Sequence, residues 1–385
     1  MPRPFIPYSR QTIEDDDVEA VVRALRSDWL TQGPAIERFE RAVADYCGAP
    51  QAVAVSSATA GLHLACLALG VSEGDVVWTS PLSFAASANC AHYCGAEVDF
   101  VDIDTGSGNM SVAALAAKLG EAARARRLPK LIIPVHYAGR ACDMEAIGAL
   151  KERYGFHVIE DAAHALGAQY ADGSPVGGHA AADAAVFSFH PVKPVTTGEG
   201  GMVVTQDAGL ADRIRPLRTH GITRDPSQLQ QKNMPAWYYE MQRLGFNYRI
   251  TDIQAALGIS QMAKLDRFIR ARRTLAERYR HLLRNSPLTL PPPGVYCGWH
   301  LYVVQVDARD AVFEKMREQN IGVNVHYMPI HLQPYYRALG FKEGWFPKAE
   351  AFFKGALSLP LHPRLTEREQ DDVVAALRDA LVGGK

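Results

Sequence analysis

The sequence predicts an α/β fold: a large unit with a mostly parallel sheet, followed by a smaller C-terminal α/β unit. Three observations carry this reading. Short apolar runs alternate with amphipathic helical stretches over the first two thirds of the chain. The runs are almost continuously apolar rather than alternating, which is the signature of strands covered by helices on both faces. Lastly, the Pro-rich stretch 287–293 sets off the final segment of the chain.

The elements follow in order. Pro34 suits the first position of a helix because its φ is already helical. Ala35, Ile36, Phe39, Val43 and Tyr46 then return at helical spacing. A strand at Ala52–Val55 runs into Ser56-Ser57-Ala58-Thr59-Ala60-Gly61, which opens a helix ending near Gly70. Further strands read at Val76–Trp78, Val98–Phe100, Leu131–Val135 and Val158–Ile159, with helices at 84–93, 111–126 and 143–153 between them. Gly198-Glu199-Gly200-Gly201 precedes another strand, Met202–Val204. Residues 206–245 are polar and Arg-rich, and one long helical stretch is expected from Thr251 to Arg284. The predicted division is 1–265 for the large unit with its N-terminal segment and 266–385 for the small one.

Composition narrows the function. A chain of 385 residues that is 48% hydrophobic can bury two cores without disulfides. Lys plus Arg number 41 against 42 Asp plus Glu, for a net charge of −1, so no nucleic-acid partner is expected. The six cysteines form no C-x-x-C pair and no zinc-ribbon spacing, so no metal site is read and a reduced, cytoplasmic compartment fits. No apolar run reaches the length of a membrane span, and residues 1–7 contain no apolar core of a signal peptide.

Four segments could carry chemistry. Ser56–Gly61 follows a strand and opens a helix, where free N–H groups and the helix dipole favour a phosphate; taken alone, an ordinary Ser/Thr cap is the plainer reading. Ser83-Phe84 follows the second strand, and Phe84 offers a face to a planar ring, or simply fills the core. Glu160-Asp161 ends a buried strand, where an acid is costly unless it holds a cation, a ribose or a protonated ring nitrogen. His164, three residues on, reads alone as a core or rim histidine. Lys193 stands among apolar and small residues past Phe187-Ser188-Phe189-His190. Desolvation would lower its pKa and make it a nucleophile; a surface lysine is the plainer alternative. Taken together along one parallel sheet, a phosphate cradle, a stacking aromatic, a strand-end carboxylate and a lysine are what pyridoxal 5′-phosphate requires.

Longer motifs sharpen this. Ser-Ser-Ala-Thr-Ala-Gly at 56–61, Glu-Asp-Ala-Ala-His at 160–164, Ser-Phe-His-Pro-Val-Lys-Pro at 188–194 and Gly-Phe-Asn-Tyr-Arg-Ile-Thr-Asp-Ile-Gln-Ala-Ala-Leu-Gly at 245–258 occur in this order. In this combination the chain resembles the DegT/DnrJ/EryC/StrS group of sugar aminotransferases, from Trp29 to Leu361. Trp29-Leu30-Thr31-Gln32-Gly33 and Val325–Pro334 make it most similar to the pseudaminic acid branch. The resemblance implies fold type I of the pyridoxal phosphate enzymes, the aspartate aminotransferase-like fold. It implies that Lys193 holds the cofactor as a Schiff base, Asp161 pairs with the pyridine nitrogen and Phe84 stacks on the ring. Ala58, Thr59 and Ser188 would bind the phosphate, and His164 would lie against the ring. Asn247 would reach the neighbouring subunit's phosphate in a homodimer with shared sites, with Arg249 close by. Tyr8, Asp28, Trp29, Leu30, Thr31, His326, Tyr327, Met328 and Pro329 match the sugar-nucleotide contacts.

Related dehydratases of this group carry His at the position of Lys193, so amino transfer is the expected reaction. The implied substrates are L-glutamate and a UDP-linked 4-keto-6-deoxy-2-acetamido sugar. Another nucleotide-linked 4-keto sugar is the alternative acceptor, and a nucleotide-sugar binder without pyridoxal phosphate is the alternative of a different class.

Overall fold

The computed structural model describes residues 4–382. A seven-stranded sheet contains β1 (Gln51–Val55), β2 (Val76–Thr79), β3 (Glu97–Phe100), β4 (Leu131–Ile133), β5 (His157–Asp161), β6 (Ala184–Ser188) and β7 (Gly201–Thr205). Their spatial order is β1-β7-β6-β5-β4-β2-β3. Every pair in it is parallel except those of β7, which runs antiparallel to both β1 and β6. The reversal has a local cause. No helix forms between β6 and β7, and a parallel return would need such a crossover.

The strand pleat explains the continuous apolar runs. Val53, Val55, Val77, Leu131, Ile133, Ile159, Val186 and Val203 enter one core, while Ala54, Trp78, Ile132, Val158, Phe187, Met202 and Val204 enter another. Each core is closed by helices. α1 (Asp15–Leu25), α2 (Pro34–Cys47), α3 (Ala58–Ala68), α4 (Ala86–Tyr93), α5 (Val112–Arg124), α6 (Met144–Tyr154) and α7 (Ala208–Arg218) precede α8 (Asp252–Met262) and α9 (Leu265–Leu283). α3, α4 and α7 supply the first core, and α2, α5, α6 and α8 the second. Pro34 is at the first position of α2, as the sequence implied, and Asp252 of α8 accepts the N–H groups of Gly33 and Ala35 at 2.7 and 3.0 Å to cap that helix.

Three expectations are corrected. The stretch from Thr251 to Arg284 is two helices, not one, broken at Ala263-Lys264. The turn carries Lys264 to Asp16 and Asp17, both at 2.7 Å, and so anchors α1, an element the sequence reading did not anticipate. The polar stretch after 206 begins with α7, which tolerates Pro216 near its end. The fourth strand ends at Ile133, and Val135 keeps only an isolated bridge to Asp161.

The rest of the chain adds the two-residue strands β8 (Ile222–Thr223) and β9 (Glu240–Met241), and the antiparallel pair β10 (Tyr302–Gln305) and β11 (Ala356–Leu359). The helices there are α10 (Arg309–Glu318), α11 (Pro334–Ala338), α12 (Pro347–Gly355) and α13 (Glu367–Val382). A third core gathers Leu275, Tyr279, Tyr302, Val304, Val312, Leu357, Val373 and Leu377. Leu265 and Ile269 of α9 belong to the second core and Leu275 and Tyr279 to the third, so we propose that the change of domain, expected at 265/266, falls along this one helix between Ile269 and Leu275. Ile6 also lies in the third core. It pairs with Ile321, its N–H bonding Asn320 O at 3.0 Å. Among the described residues no helix is long and apolar enough to cross a membrane.

Candidate active site

The C-terminal ends of β1, β2, β5 and β6 surround a cavity of about 790 Å³. Open parallel sheets place their ligands at this edge. Beyond the end of β1, the Ser57 hydroxyl accepts the N–H of Ala60 at 3.1 Å and caps α3. Ala58 and Thr59 therefore line the cavity with first-turn N–H groups that no helical carbonyl can satisfy. The arrangement depends on Gly201. In register it sits opposite both Val55 and Ser188, and a Cβ there would come within 2.5 Å of the Ser57 carbonyl carbon and 2.6 Å of the Ala58 nitrogen. Gly201→Ala should lower the unfolding free energy by about 2–3 kcal/mol, because backbone cannot yield as a side chain can. Denaturant titration of the two proteins measures this.

β5 separates the two neighbouring acids by its pleat. Glu160 points away from the cavity and is fully buried, accepting hydrogen bonds from the Tyr170 hydroxyl and lying 2.6 Å from His136 Nε2. It is a structural acid. Asp161 faces the cavity: its Oδ1 accepts the Ala163 N–H at 3.1 Å and its Oδ2 the Ser87 hydroxyl at 2.5 Å. Lys193 lies on the loop after β6, where its N–H bonds His190 O at 2.9 Å, and its side chain is half-buried in the same cavity. Lost hydration pushes its pKa down to about 8, with the negative charge of Asp161 opposing the shift.

Three imidazoles wall the Lys193 side: His164, His300 and His326. Burial, and then the lysine charge, push all three below the ordinary range, His326 to about 3. They are neutral at physiological pH, so the wall adds no cation. The Ala138 N–H donates to His164 Nδ1 at 3.3 Å, which places the ring proton on Nε2, 2.9 Å from the Tyr327 hydroxyl. His326 Nδ1 is 2.8 Å from the Ser358 hydroxyl, and its carbonyl accepts the Tyr137 hydroxyl. Phe84 stands at the mouth, 62% exposed, its ring 6.2 Å from that of Tyr327. Tyr8 crosses over from the N-terminal segment. Its carbonyl accepts the Leu361 N–H, and the neighbouring Ser9 hydroxyl donates to Val192 O at 3.1 Å.

Of the residues singled out in the sequence, Tyr8, Ala58, Thr59, Phe84, Asp161, His164, Ser188, Lys193, His326 and Tyr327 come together in this cavity. The others do not line it within one chain. Asn247 is exposed and pairs with Thr219, and Arg249 is half-buried. Tyr248 between them accepts the Ser56 N–H at 2.8 Å, beside the cradle. Asp28, Trp29, Leu30 and Thr31 form an exposed loop packed on the start of α8, where Leu30 O accepts the Asp252 N–H. Met328 is exposed and Pro329 buried just past the cavity wall. The sequence reading missed Ser87, His300 and Asn324, and it gave no role to Ser83 or Glu199. Ser87, His300 and Asn324 stand in no motif with a chemical signature, and Ser87 meets Asp161 only through the fold.

These groups fit pyridoxal phosphate. An amine of lowered pKa, a buried carboxylate fixed at both oxygens, an exposed aromatic face and unpaired N–H groups at a helix start are the donors and surfaces that cofactor requires.

Comparison with known proteins agrees. The model of the DegT/DnrJ/EryC1/StrS aminotransferase family matches residues 11–378. The spore coat polysaccharide biosynthesis protein SpsC of Bacillus subtilis is 40% identical over 98% of both chains. The structure of Helicobacter pylori PseC, an aminotransferase involved in pseudoaminic acid biosynthesis, superposes with a TM-score of 0.90 at 29% identity, covering 98% of this chain and 100% of that one. A sugar aminotransferase from Streptococcus pneumoniae, Spr1654 in its pyridoxamine phosphate form, has a TM-score of 0.89 at 29% identity, over 98% of this chain and 99% of its own. It is also known in a pyridoxal phosphate form. The chain thus belongs to the DegT/DnrJ/EryC1/StrS aminotransferase family, as a fold-type-I sugar aminotransferase that depends on pyridoxal phosphate.

Proposed function

We propose that this enzyme moves an amino group from L-glutamate to C4 of a UDP-linked 4-keto-6-deoxy-2-acetamido sugar, as in the synthesis of a pseudaminic acid precursor. The observation that carries the reading is the meeting of Lys193 and Asp161 in one cavity, under a wall supplied by Tyr8, His326 and Tyr327. Similarity to PseC over the whole chain supports the choice of sugar.

Bound pyridoxal phosphate supplies an aldehyde that takes up the amino group and a ring that withdraws electrons from the carbon losing its proton. The chain does the rest. Lys193 Nζ removes the proton from Cα of the donor and later returns one at C4 of the sugar, work suited to a group whose pKa is about 8. The Asp161 carboxylate keeps a proton on the ring nitrogen. The Ala58 and Thr59 N–H groups and the Ser188 hydroxyl would hold the phosphate, and Phe84 and His164 would bound the ring. Asn247 and Arg249 serve the partner subunit in a cytoplasmic homodimer, which accounts for their positions outside their own cavity. Tyr8, the loop 28–31 and the segment 326–329 receive the sugar nucleotide.

The two half-reactions predict ping-pong kinetics. The test is the purified enzyme with glutamate and a panel of 4-keto sugar nucleotides, with product stereochemistry assigned by NMR. Preferred turnover of the UDP-2-acetamido sugar is the expected result. Preference for another nucleotide-linked 4-keto sugar, such as an arabinose or perosamine precursor, would replace it with the second reading. The 40% identity to SpsC, named for spore coat polysaccharide biosynthesis, is the observation behind that alternative.

One pH dependence follows from Lys193. Below about pH 8 the amine is charged and unreactive; above it the amine is neutral. The rate at which cofactor-free enzyme captures pyridoxal phosphate should rise about tenfold per pH unit up to that point and then level off. Stopped-flow absorbance reads it, and a profile still rising steeply at pH 10 would contradict the lowered pKa.

A further inference from the structure

Asp161 is held by a short chain of hydroxyl groups that no motif reveals. Ser87, at the start of α4, is fully buried. Its one proton has three acceptors in reach: Asp161 Oδ2 at 2.5 Å, Ser83 Oγ at 2.6 Å and Phe84 O at 3.3 Å. The carboxylate is the nearest and the only charged one, so it takes the proton, because a hydrogen bond to an ion is about twice as strong as a neutral one. Ser83 must then donate to Ser87. Ser83, itself buried, lines the cavity directly before Phe84.

We infer that Ser87, backed by Ser83, is a positioning residue that fixes the rotation of the Asp161 carboxylate and tempers its charge toward the cofactor ring. Two consequences follow. With Oδ1 tied to the Ala163 N–H and Oδ2 to Ser87, the carboxylate plane cannot turn about its last torsion. The same hydroxyls also tie Asp161 to the loop that carries Phe84, so the group serving the ring nitrogen and the face covering the ring are set by one structure. The titratable groups whose electrostatics Asp161 affects are Lys193 from the β6–β7 loop and Tyr327 from the C-terminal unit, and a serine variant on α4 retains both side chains.

The inference rests on the proposed role of Asp161, and the test separates the two. The pH midpoint of the visible absorbance change of the cofactor-loaded enzyme is followed in the wild type, Ser87→Ala, Ser83→Ala and Asp161→Asn, with the half-time of cofactor loss on dialysis. Without the Ser87 hydroxyl the carboxylate is less shielded and favours nearby cations. The midpoint in Ser87→Ala should therefore move up by about half a unit or more. Cofactor should also be lost about tenfold faster, since a charge-assisted hydrogen bond no longer fixes its partner. Ser83→Ala should shift the midpoint the same way by less. In Asp161→Asn, which removes the anion and with it the proton it keeps on the ring nitrogen, the midpoint should also move. An unmoved midpoint in both serine variants, with a moved one in Asp161→Asn, overturns the role of Ser87 alone. An unmoved midpoint in Asp161→Asn overturns the role of Asp161 and this inference with it.

Discussion

Lys193→Ala is expected to abolish amino transfer, lowering turnover by about 10⁴-fold or more, because one amine both forms the covalent link and moves the proton. The same variant should fold normally. Lys193 contributes a backbone hydrogen bond to its loop, which alanine keeps, and the amine being removed is one whose charged form burial disfavours. Circular dichroism should be unchanged and the melting temperature equal to or above that of the wild type. The protein should show none of the visible absorbance of a lysine-linked cofactor. Retained turnover in a folded Lys193→Ala protein would end the assignment of this residue.

Asp161→Asn should be the next most damaging change. The hydrogen bonds survive the substitution: the Asn carbonyl can still accept the Ala163 N–H, and its amide can donate to Ser87, whose own proton then turns to Phe84 O. What disappears is the charge. Turnover should fall by about 10²–10³-fold, the range found when one fixed electrostatic contact to a developing charge is deleted. Loss of the anion also removes the opposition to Lys193's desolvation, so the lysine pKa should drop below about 8 and the capture profile should move to lower pH. Both half-reactions, followed separately in single-turnover experiments, should slow. A variant slowed only in sugar amination would contradict a role at the ring nitrogen.

The fold was legible where local chemistry decides. Buried strands, the Pro34 start of α2 and the Ser57 cap of α3 all follow from composition and spacing. The direction of β7 was not legible, because a strand buried along its whole length shows no alternation from which to infer its neighbours. The break at Ala263-Lys264 was hidden because its cause, the carboxylates of α1, lies far away in sequence. The site divides in the same way. Lys193, Asp161 and the cradle stand in motifs at strand ends, where sequence neighbours are also spatial neighbours. His300 and Asn324 reach the cavity, and Ser87 reaches Asp161 behind it, from separate elements, and only the packing of those elements brings them there.

The N-terminal segment has a consequence for synthesis. Ile6 pairs with Ile321, and Tyr8 is held by the N–H of Leu361 while Ser9 is tied to the lysine loop at Val192. Domains of a growing chain fold as they emerge from the ribosome, N-terminal parts first. Here Ile6 and Tyr8 must wait for Ile321 and Leu361, which are made after the whole seven-stranded sheet. The sheet, with Lys193 and Asp161 in place, can assemble while Tyr8 still has no seat and the Asn324–Tyr327 wall does not yet exist. A chain interrupted before Leu361 thus lacks the hydrogen bond that holds Tyr8 beside the lysine loop.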